Sequence, residues 1–201
     1  ANTLSTGVYF RLIVFRKSGN NYVFQSAADY TSNGASSPVL KKGKLLTRSG
    51  TIRVIGYSFN TTAALGDIPA SYTYNTTKID IPNMNNDFMT YDSGDIANVN
   101  SLNYNLPVTF KQKLCKLTIS ISVTGFTSNT ISGCTGVYVK QGGNSTSWVI
   151  GSSAVAANTS NTASFNPNTN QTTTIHMVPF ASSRTITVHF NKLTVGNLIA
   201  N

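Results

Sequence analysis

Few side chains in this chain could do chemistry, and the histidines His176 and His189 are the first candidates. Hydrolysis of the Ser-His-Asp type needs a histidine beside an activated serine and an acid that orients the imidazole. No Gly-x-Ser-x-Gly sequence is present, and all six acids are aspartates before residue 96. Strand parity places His189 on the polar face of Thr185 and Thr187. We therefore interpret both as surface histidines of strands and predict no catalytic residue.

The acidic residues concentrate in one segment, Asp92–Asp95, with Asp80 and Asp87 nearby. Calcium takes six to eight oxygen ligands, and an EF-type loop closes with a glutamate, a residue that this chain lacks. A turn that uses Asp and Gly for their backbone preferences is the favoured interpretation, with a weak calcium site as the alternative. Two cysteines and two histidines without finger spacing do not predict zinc. We predict no metal and no cofactor.

The two cysteines, Cys115 and Cys134, flank a predicted strand and turn. In an oxidising compartment they could close a loop of roughly twenty residues, worth about 3 kcal/mol in the chain-entropy model. The alternative is two free thiols, because Cys115 falls on the outward side of its strand.

Aromatic side chains offer a second kind of site, since exposed rings stack on sugars in lectins. Trp148 is the candidate glycan contact, together with tyrosines. Packing in the core is the alternative for most of these rings, because they fall in strand positions.

The net charge of +9 invites a nucleic-acid interpretation. Nucleic-acid binding needs basic residues gathered on one face with stacking aromatics. Here the cations occur in small separate groups, so we predict no nucleic-acid partner. A basic field would still attract acidic polymers or anionic cell surfaces.

Short segments that alternate apolar and polar residues recur along the chain, in a background rich in Ser, Thr and Asn. In residues 116–123 every second residue is apolar, which predicts a strand with one buried face. Glutamate, a good helix former, is absent, and the composition favours an all-β protein. The alternating run is the end of a longer predicted segment, 106–123, which forms either two strands or one long bent strand. Further predicted strands are 8–15, 22–24, 39–40, 51–60, 71–74, 87–91, 136–140, 148–150, 172–178 and 184–190. The first has apolar residues on both faces, Arg11 excepted, so we expect it to be central.

The remaining segments are predicted to be connections. Polar residues after Phe24 predict a loop that runs through Asn33 and Gly34. Residues 93–105 are predicted to connect two halves, and residues 158–171 to form a long loop. The sequence contains no run of eighteen apolar residues, so we predict no membrane-spanning helix. The weakly charged surface is typical of an exported protein.

Several segments together resemble Bacteroidales fimbrillin-like proteins. In the first half these are Tyr9-Phe10-Arg11-Leu12-Ile13-Val14-Phe15, Gly56-Tyr57-Ser58-Phe59-Asn60 and Asn86-Asp87-Phe88-Met89. In the second half they are Phe110-Lys111-Gln112-Lys113-Leu114, Met177-Val178-Pro179, Thr185-Ile186-Thr187-Val188 and Leu193-Thr194-Val195-Gly196-Asn197. The resemblance covers most of the chain in the same order.

The resemblance implies two tandem transthyretin-like Greek-key β-sandwich domains, residues 1–105 and 106–201. It also implies a non-enzymatic fimbrial subunit or accessory or tip adhesin at the outer membrane, anchored through a lipoprotein precursor. Its partners would be other fimbrial subunits that exchange a strand after an N-terminal segment is removed, and a surface protein or glycan. The alternatives are a secreted carbohydrate-binding module of a gut-type bacterium and a small hydrolase around His176 or His189.

Overall fold

The computed structural model describes residues 4–34, 36–81, 86–99, 105–122, 124–125, 131–135, 137–140, 144–158, 163–165, 172–179, 187–189, 192–195 and 198–200. These residues form antiparallel sheets and contain no helix, so the predicted all-β class is confirmed. None of them forms a helix that could cross a membrane.

The strands divide between two compact units. Unit 1 comprises Ala1–Ile81, Asn86–Lys113 and Ser147–Val155, and unit 2 comprises Pro82–Asn85, Leu114–Thr146 and Ala156–Asn201. The strands are β1 Tyr9–Ser18, β2 Asn21–Asn33, β3 Ser36–Gly43, β4 Gly50–Ser58, β5 Lys78–Asp80, β6 Met89–Val99, β7 Lys111–Gln112, β8 Cys115–Ser120, β9 Ile131–Thr135, β10 Val137–Lys140, β11 Asn144–Val149, β12 Val155–Asn158, β13 Ala163–Phe165, β14 Thr172–Met177, β15 Thr187–His189, β16 Lys192–Val195 and β17 Leu198–Ala200. The units differ from the predicted domains 1–105 and 106–201, because residues 106–113 and 147–155 belong to unit 1.

Unit 1 is built on a six-stranded antiparallel sheet with the order β3-β2-β1-β4-β6-β7. The central position expected for the first strand is confirmed, because β1 pairs with β2 on one side and β4 on the other. Six consecutive residues of β1, Phe10 to Phe15, are buried, so both faces of the sheet are covered at its centre. A strand that is apolar on both faces is stable only in such a position.

The two faces of this sheet carry different side chains. One face contributes an apolar cluster that consists of Phe10, Leu12, Val14, Ile52, Val54, Met89, Tyr91, Val99 and Phe110. The other face carries Arg11, Ile13 and Tyr57, and Tyr57 contacts Trp148 at 6.4 Å between ring centroids. Along β4, Ile52 and Val54 belong to the first face and Tyr57 to the other, as the alternation of side chains in a strand requires.

Two predicted connections of unit 1 are wrong. The polar loop after Phe24 is the continuation of β2, which runs to Asn33 along β1. The connector expected over residues 93–105 is strand as far as Val99, because β6 continues to that residue and pairs with β4; residues 100–104 lie outside the described chain. In both cases the polar residues form a strand because their backbones pair with a neighbouring strand, which the local sequence does not show.

Unit 2 consists of short strands. Three groupings lie within it, with the orders β13-β10-β15, β14-β8 and β17-β16-β9. In β8 the apolar Leu117 and Ile119 are half-buried and their neighbours exposed, as the alternation predicts. Part of the predicted 158–171 loop is strand, since Ala163–Phe165 pairs with β10; residues 159–162 and 166–171 lie outside the described chain.

Candidate functional site

An apolar groove lies over one face of the sheet of unit 1. Its cavity volume is about 480 Å³. The sheet contributes Phe10, Leu12 and Tyr30 to the lining. The segments outside the sheet contribute Leu4 before β1, Leu45 between β3 and β4, and Leu106, Val108 and Phe110 before β7. A cavity of this size with an apolar lining is typical of a binding site.

Among the described residues, the segment that covers this face beside β6 is not a strand. Residues 105–110 belong to no strand of the described chain, so the strand predicted from residue 106 is wrong up to Phe110 and begins at Lys111. They cover the face through Leu106, Val108 and Phe110, which pack on the apolar cluster. Phe110 contacts Phe10 at 5.4 Å and Tyr91 at 6.3 Å between ring centroids. The Tyr91 hydroxyl donates a 3.0 Å hydrogen bond to the carbonyl of Pro107, which fixes the segment beside β6.

The floor of the groove is held by aromatic packing across strands. Phe10 of β1 and Tyr30 of β2 are cross-strand partners, and their rings stack at 5.6 Å. Burial raises the pKa of Tyr30, so its hydroxyl stays protonated at neutral pH. The rim is polar, because Ser32, Asn33 and Ser36 lie there. The groove therefore presents an apolar floor with hydrogen-bonding groups along one rim.

The opposite face of the sheet contains a buried ion pair that sequence reasoning missed. Arg11, Asp29 and Tyr57 are direct neighbours across β2, β1 and β4. The guanidinium binds both carboxylate oxygens of Asp29, at 2.5 Å and 2.8 Å. The two side chains are 2% and 3% exposed.

Arg11 uses all five of its N–H donors. Besides the two bonds to Asp29, it donates to the Tyr72 hydroxyl at 2.9 Å and to the carbonyls of Asp67 and Gly66 at 3.0 Å and 3.1 Å. Burial opposes the charge, but the Asp29 bond and the neighbouring tyrosines outweigh it, so the pKa of Arg11 is raised. No donor is left for a ligand. The pair attaches the 66–72 segment to the sheet.

A second row of charges crosses the exposed part of the same face. Arg53 binds the Asp92 carboxylate at 2.8 Å and 2.6 Å, and it lies 5.4 Å from the ring centroids of Tyr22 and Tyr74. The Asp95 carboxylate accepts bonds from Lys17 and Tyr22. The acidic segment predicted to be a turn is thus held in β6 by cross-strand ion pairs, with a local Asp92–Gly94 hydrogen bond of 2.9 Å.

Trp148 is buried, with 2% of its surface exposed. It packs on Tyr57 and Phe88, and its indole N–H donates a 2.9 Å hydrogen bond to the carbonyl of Ser152. Stacking on a sugar requires an open ring face, and this ring is enclosed by aromatic neighbours. Its burial therefore argues against the predicted glycan contact at Trp148.

The histidines lie in unit 2 on different strand groupings. His176 is in β14 opposite Lys116 of β8, and His189 is in β15 opposite Tyr138 of β10. Both are half-buried. Unit 2 contains no aspartate or glutamate, so it cannot build a Ser-His-Asp site from its own residues.

Cys115 is exposed, and its Sγ lies 3.3 Å from the carbonyl oxygen of Met177. Cys134 lies in β9 opposite Leu193. The side chain of Cys134 lies outside the described part of the chain, so the pairing of the two cysteines stays a prediction. Within the described residues, no group of three or more His, Cys, Asp or Glu side chains could hold a metal ion.

No protein-family model, no curated protein and no solved structure matches this chain. On geometric grounds, the best candidate site is the apolar groove of unit 1.

Proposed function

We propose that this chain is a non-enzymatic fimbrial subunit, or an accessory or tip adhesin, that assembles by accepting a β-strand from a neighbouring subunit. The proposal includes two transthyretin-like Greek-key sandwiches, export to the outer membrane of a Gram-negative bacterium and a lipoprotein precursor. It rests on the resemblance to fimbrillin-like proteins and on one structural observation, the apolar groove of unit 1.

The groove supports strand acceptance because it lies where a sandwich would have another strand. Strand addition needs main-chain groups for pairing and pockets for alternate side chains. Residues 106 and 108–110 line one wall of the groove without belonging to a strand, while Phe10, Leu12 and Tyr30 form an apolar floor. An added strand would bury alternate apolar side chains on this floor and complete the second layer.

The edge of the sheet at β3 is a poorer acceptor. All eight of its residues are exposed, and it contains Pro38, Lys41 and Lys42. Proline lacks an N–H donor, and lysines discourage pairing with another chain, which is how natural sheets protect their edges. This arrangement favours the groove over the β3 edge as the acceptor site.

The charges fit a role outside nucleic-acid binding. The cations are distributed, and Arg11, Lys17, Lys42 and Arg53 are each paired with an aspartate. The alternative of a carbohydrate-binding module loses its candidate ring through the burial of Trp148. A non-enzymatic role agrees with the sequence of unit 2, which contains both histidines and no aspartate or glutamate.

The substitution Val108→Arg tests the proposal. Val108 is half-buried at the groove wall, so a guanidinium there would block an incoming apolar strand. Val23→Arg is the matched control, because Val23 is 51% exposed on β2 and does not line the groove. We expect the processed wild-type protein and V23R to form heat-resistant ladders on SDS gels and polymers by electron microscopy. We expect V108R to remain monomeric, with a melting temperature within about 4 °C of wild type.

Two results would count against this function. Ladders from V108R equal to those from wild type would place strand acceptance elsewhere. A wild-type protein that stays monomeric after export and processing would exclude a polymerising subunit and leave the tip role.

A further inference from the structure

A second cleft of unit 1 has an excess of positive charge and lies at the β6–β7 end of the sheet. Its volume is about 590 Å³. Its cations are Arg53, Lys111 and Lys113, and its one acid is Asp92. We call it the basic cleft.

The acid of the basic cleft is already neutralised. Both carboxylate oxygens of Asp92 accept hydrogen bonds from Arg53. Among the described residues, Lys111 and Lys113 form no ion pair, so they are the cations of the cleft without a carboxylate partner of their own. They are separated by Gln112, and both line the cleft.

Backbone pairing fixes the position of both lysines beside the cleft, and a hydrogen bond holds the ammonium group of Lys113. Lys111 pairs with Thr90 at the edge of the sheet, and the Lys113 backbone N–H donates a 2.9 Å hydrogen bond to the carbonyl of Phe88. The Lys113 ammonium donates to the carbonyl of Ser153 at 2.8 Å. Burial lowers the pKa of Lys113, and the charge of Lys111 lowers it further. An anion between the two lysines would offset this repulsion.

The rest of the lining fits a sugar better than a simple ion. The volume exceeds what a single carboxylate or sulfate would fill, and it lies in the range of small-molecule sites. Hydroxyl groups of Thr90, Thr109 and Ser153 line the cleft, and Tyr91 and Pro107 add apolar surface. Such a mixture suits the hydroxyls and the apolar ring faces of a saccharide.

We propose that the basic cleft binds an acidic saccharide, with the ammonium groups of Lys111 and Lys113 contacting its carboxylate. The site is separate from the apolar groove and does not depend on strand acceptance. Trp148 also borders the cleft, but it is 2% exposed and packs on Tyr57 and Phe88, so the proposed contacts do not use its ring for stacking.

The test measures binding of trigalacturonic acid to the full chain by isothermal titration calorimetry at low salt. The comparison ligands are the fully methyl-esterified trisaccharide, which is neutral, and acetate at an equal carboxylate concentration. The variant is the double substitution Lys111→Gln and Lys113→Gln, and the matched control is Lys41→Gln and Lys44→Gln. The control removes the same charge from exposed positions around β3. Glutamine at 113 retains an N–H donor for Ser153.

We expect the acid trisaccharide to bind wild type and the control within about twofold of each other, and the 111/113 variant about tenfold more weakly. The methyl ester and acetate should bind at least about tenfold more weakly than the acid. Rising NaCl should weaken the interaction, because the charges are partly solvated.

Three outcomes would overturn the proposal. Absence of binding of the acid trisaccharide to folded wild type would do so. Equal losses in the two double variants would show attraction to net charge alone. Equal binding of acetate or of the methyl ester would exclude an acidic saccharide as the ligand class. Circular dichroism of each variant verifies its folding. The double substitution Lys111→Arg and Lys113→Arg keeps both positive charges, so it should bind the acid trisaccharide more tightly than the glutamine variant does.

Discussion

At the scale of single residues, the same kind of ion pair has two different roles in unit 1. Arg11 and Asp29 are almost fully buried, whereas Arg53 and Asp92 are 23% and 39% exposed. Removing one partner of a buried pair leaves an uncompensated charge in a poorly polarisable interior. An exposed pair contributes little, because water solvates the remaining partner. Burial therefore decides which pair the fold depends on.

Arg11→Met should lower the free energy of unfolding by about 3–5 kcal/mol, because Asp29 would stay buried without its cation. Arg53→Met, the control, should cost about 1 kcal/mol or less. Urea unfolding followed by circular dichroism measures both. The double substitution Arg11→Met and Asp29→Leu should recover much of the loss, and an R11M cost equal to that of R53M would contradict the buried-pair argument.

Acid should destabilise unit 1 through Asp92. Desolvation raises the pKa of this carboxyl, but the Arg53 and Gly94 hydrogen bonds outweigh it, so the folded pKa lies below the ordinary value of 3.8. A carboxyl with a lowered folded pKa stabilises the fold above its unfolded pKa and loses this effect as pH falls through the folded value. Asp92→Asn should therefore be less stable than wild type near neutral pH, and the difference should shrink below pH 3.8. Urea titrations across this range give the comparison, and a constant difference would exclude Asp92 as its source.

At the scale of elements, the sequence predicts strands well where the apolar pattern is local. β1 is apolar on both faces and is central, and β8 alternates as expected. β2 was predicted too short, because Ala27, Ala28 and Asp29 give no local apolar alternation, and their burial depends on pairing with β1. The start of β6, residues 89–91, lies in a predicted strand, but its continuation from residue 93 is predicted as a connector, because an Asp-Ser-Gly-Asp run favours a turn and its cross-strand cations are distant in sequence.

The apolar groove could be predicted only in part. Phe10, Leu12 and Phe110 are apolar in the sequence, but nothing local indicates that residues 105–110 cover the sheet without joining it. The basic cleft was equally hidden, because Lys111 and Arg53 lie on different elements and meet only through the strand order.

The pairing of β2 with β3 depends on Gly43. Its φ of 72° lies in the left-handed region, and a Cβ there would meet the Ala27 carbonyl oxygen and would lie 2.8 Å from Cδ1 of Ile68. Gly43→Ala should therefore cost about 3 kcal/mol, the sum of backbone strain and overlap. Gly19→Ala isolates the strain, because Gly19 has a φ of 61° and nothing within 4 Å of its added Cβ. We expect about 1 kcal/mol for G19A by urea unfolding, and equal costs for the two would show that the overlap is relieved.

At the scale of the whole molecule, the two units carry different chemical groups. All six aspartates belong to unit 1, and both cysteines and both histidines belong to unit 2. The candidate groove and the basic cleft lie in unit 1. Both cysteines lie in unit 2, so formation of a disulfide after export to an oxidising compartment would change unit 2.

The thiol state of unit 2 gives the last prediction. Because Cys115 is exposed and its Sγ lies against the Met177 carbonyl, we expect the native protein to react with Ellman's reagent at this residue, and Cys115→Ser to remove that reaction. The substitution should change the free energy of unfolding by about 0.5 kcal/mol or less, since an exposed thiol contributes little packing. A disulfide to Cys134 would give a different result, with no reaction before reduction and a loss of about 3 kcal/mol in C115S. Mass spectrometry of alkylated protein, isolated without reductant from an oxidising compartment, distinguishes the two states, because alkylation of Cys115 before reduction occurs only when its thiol is free.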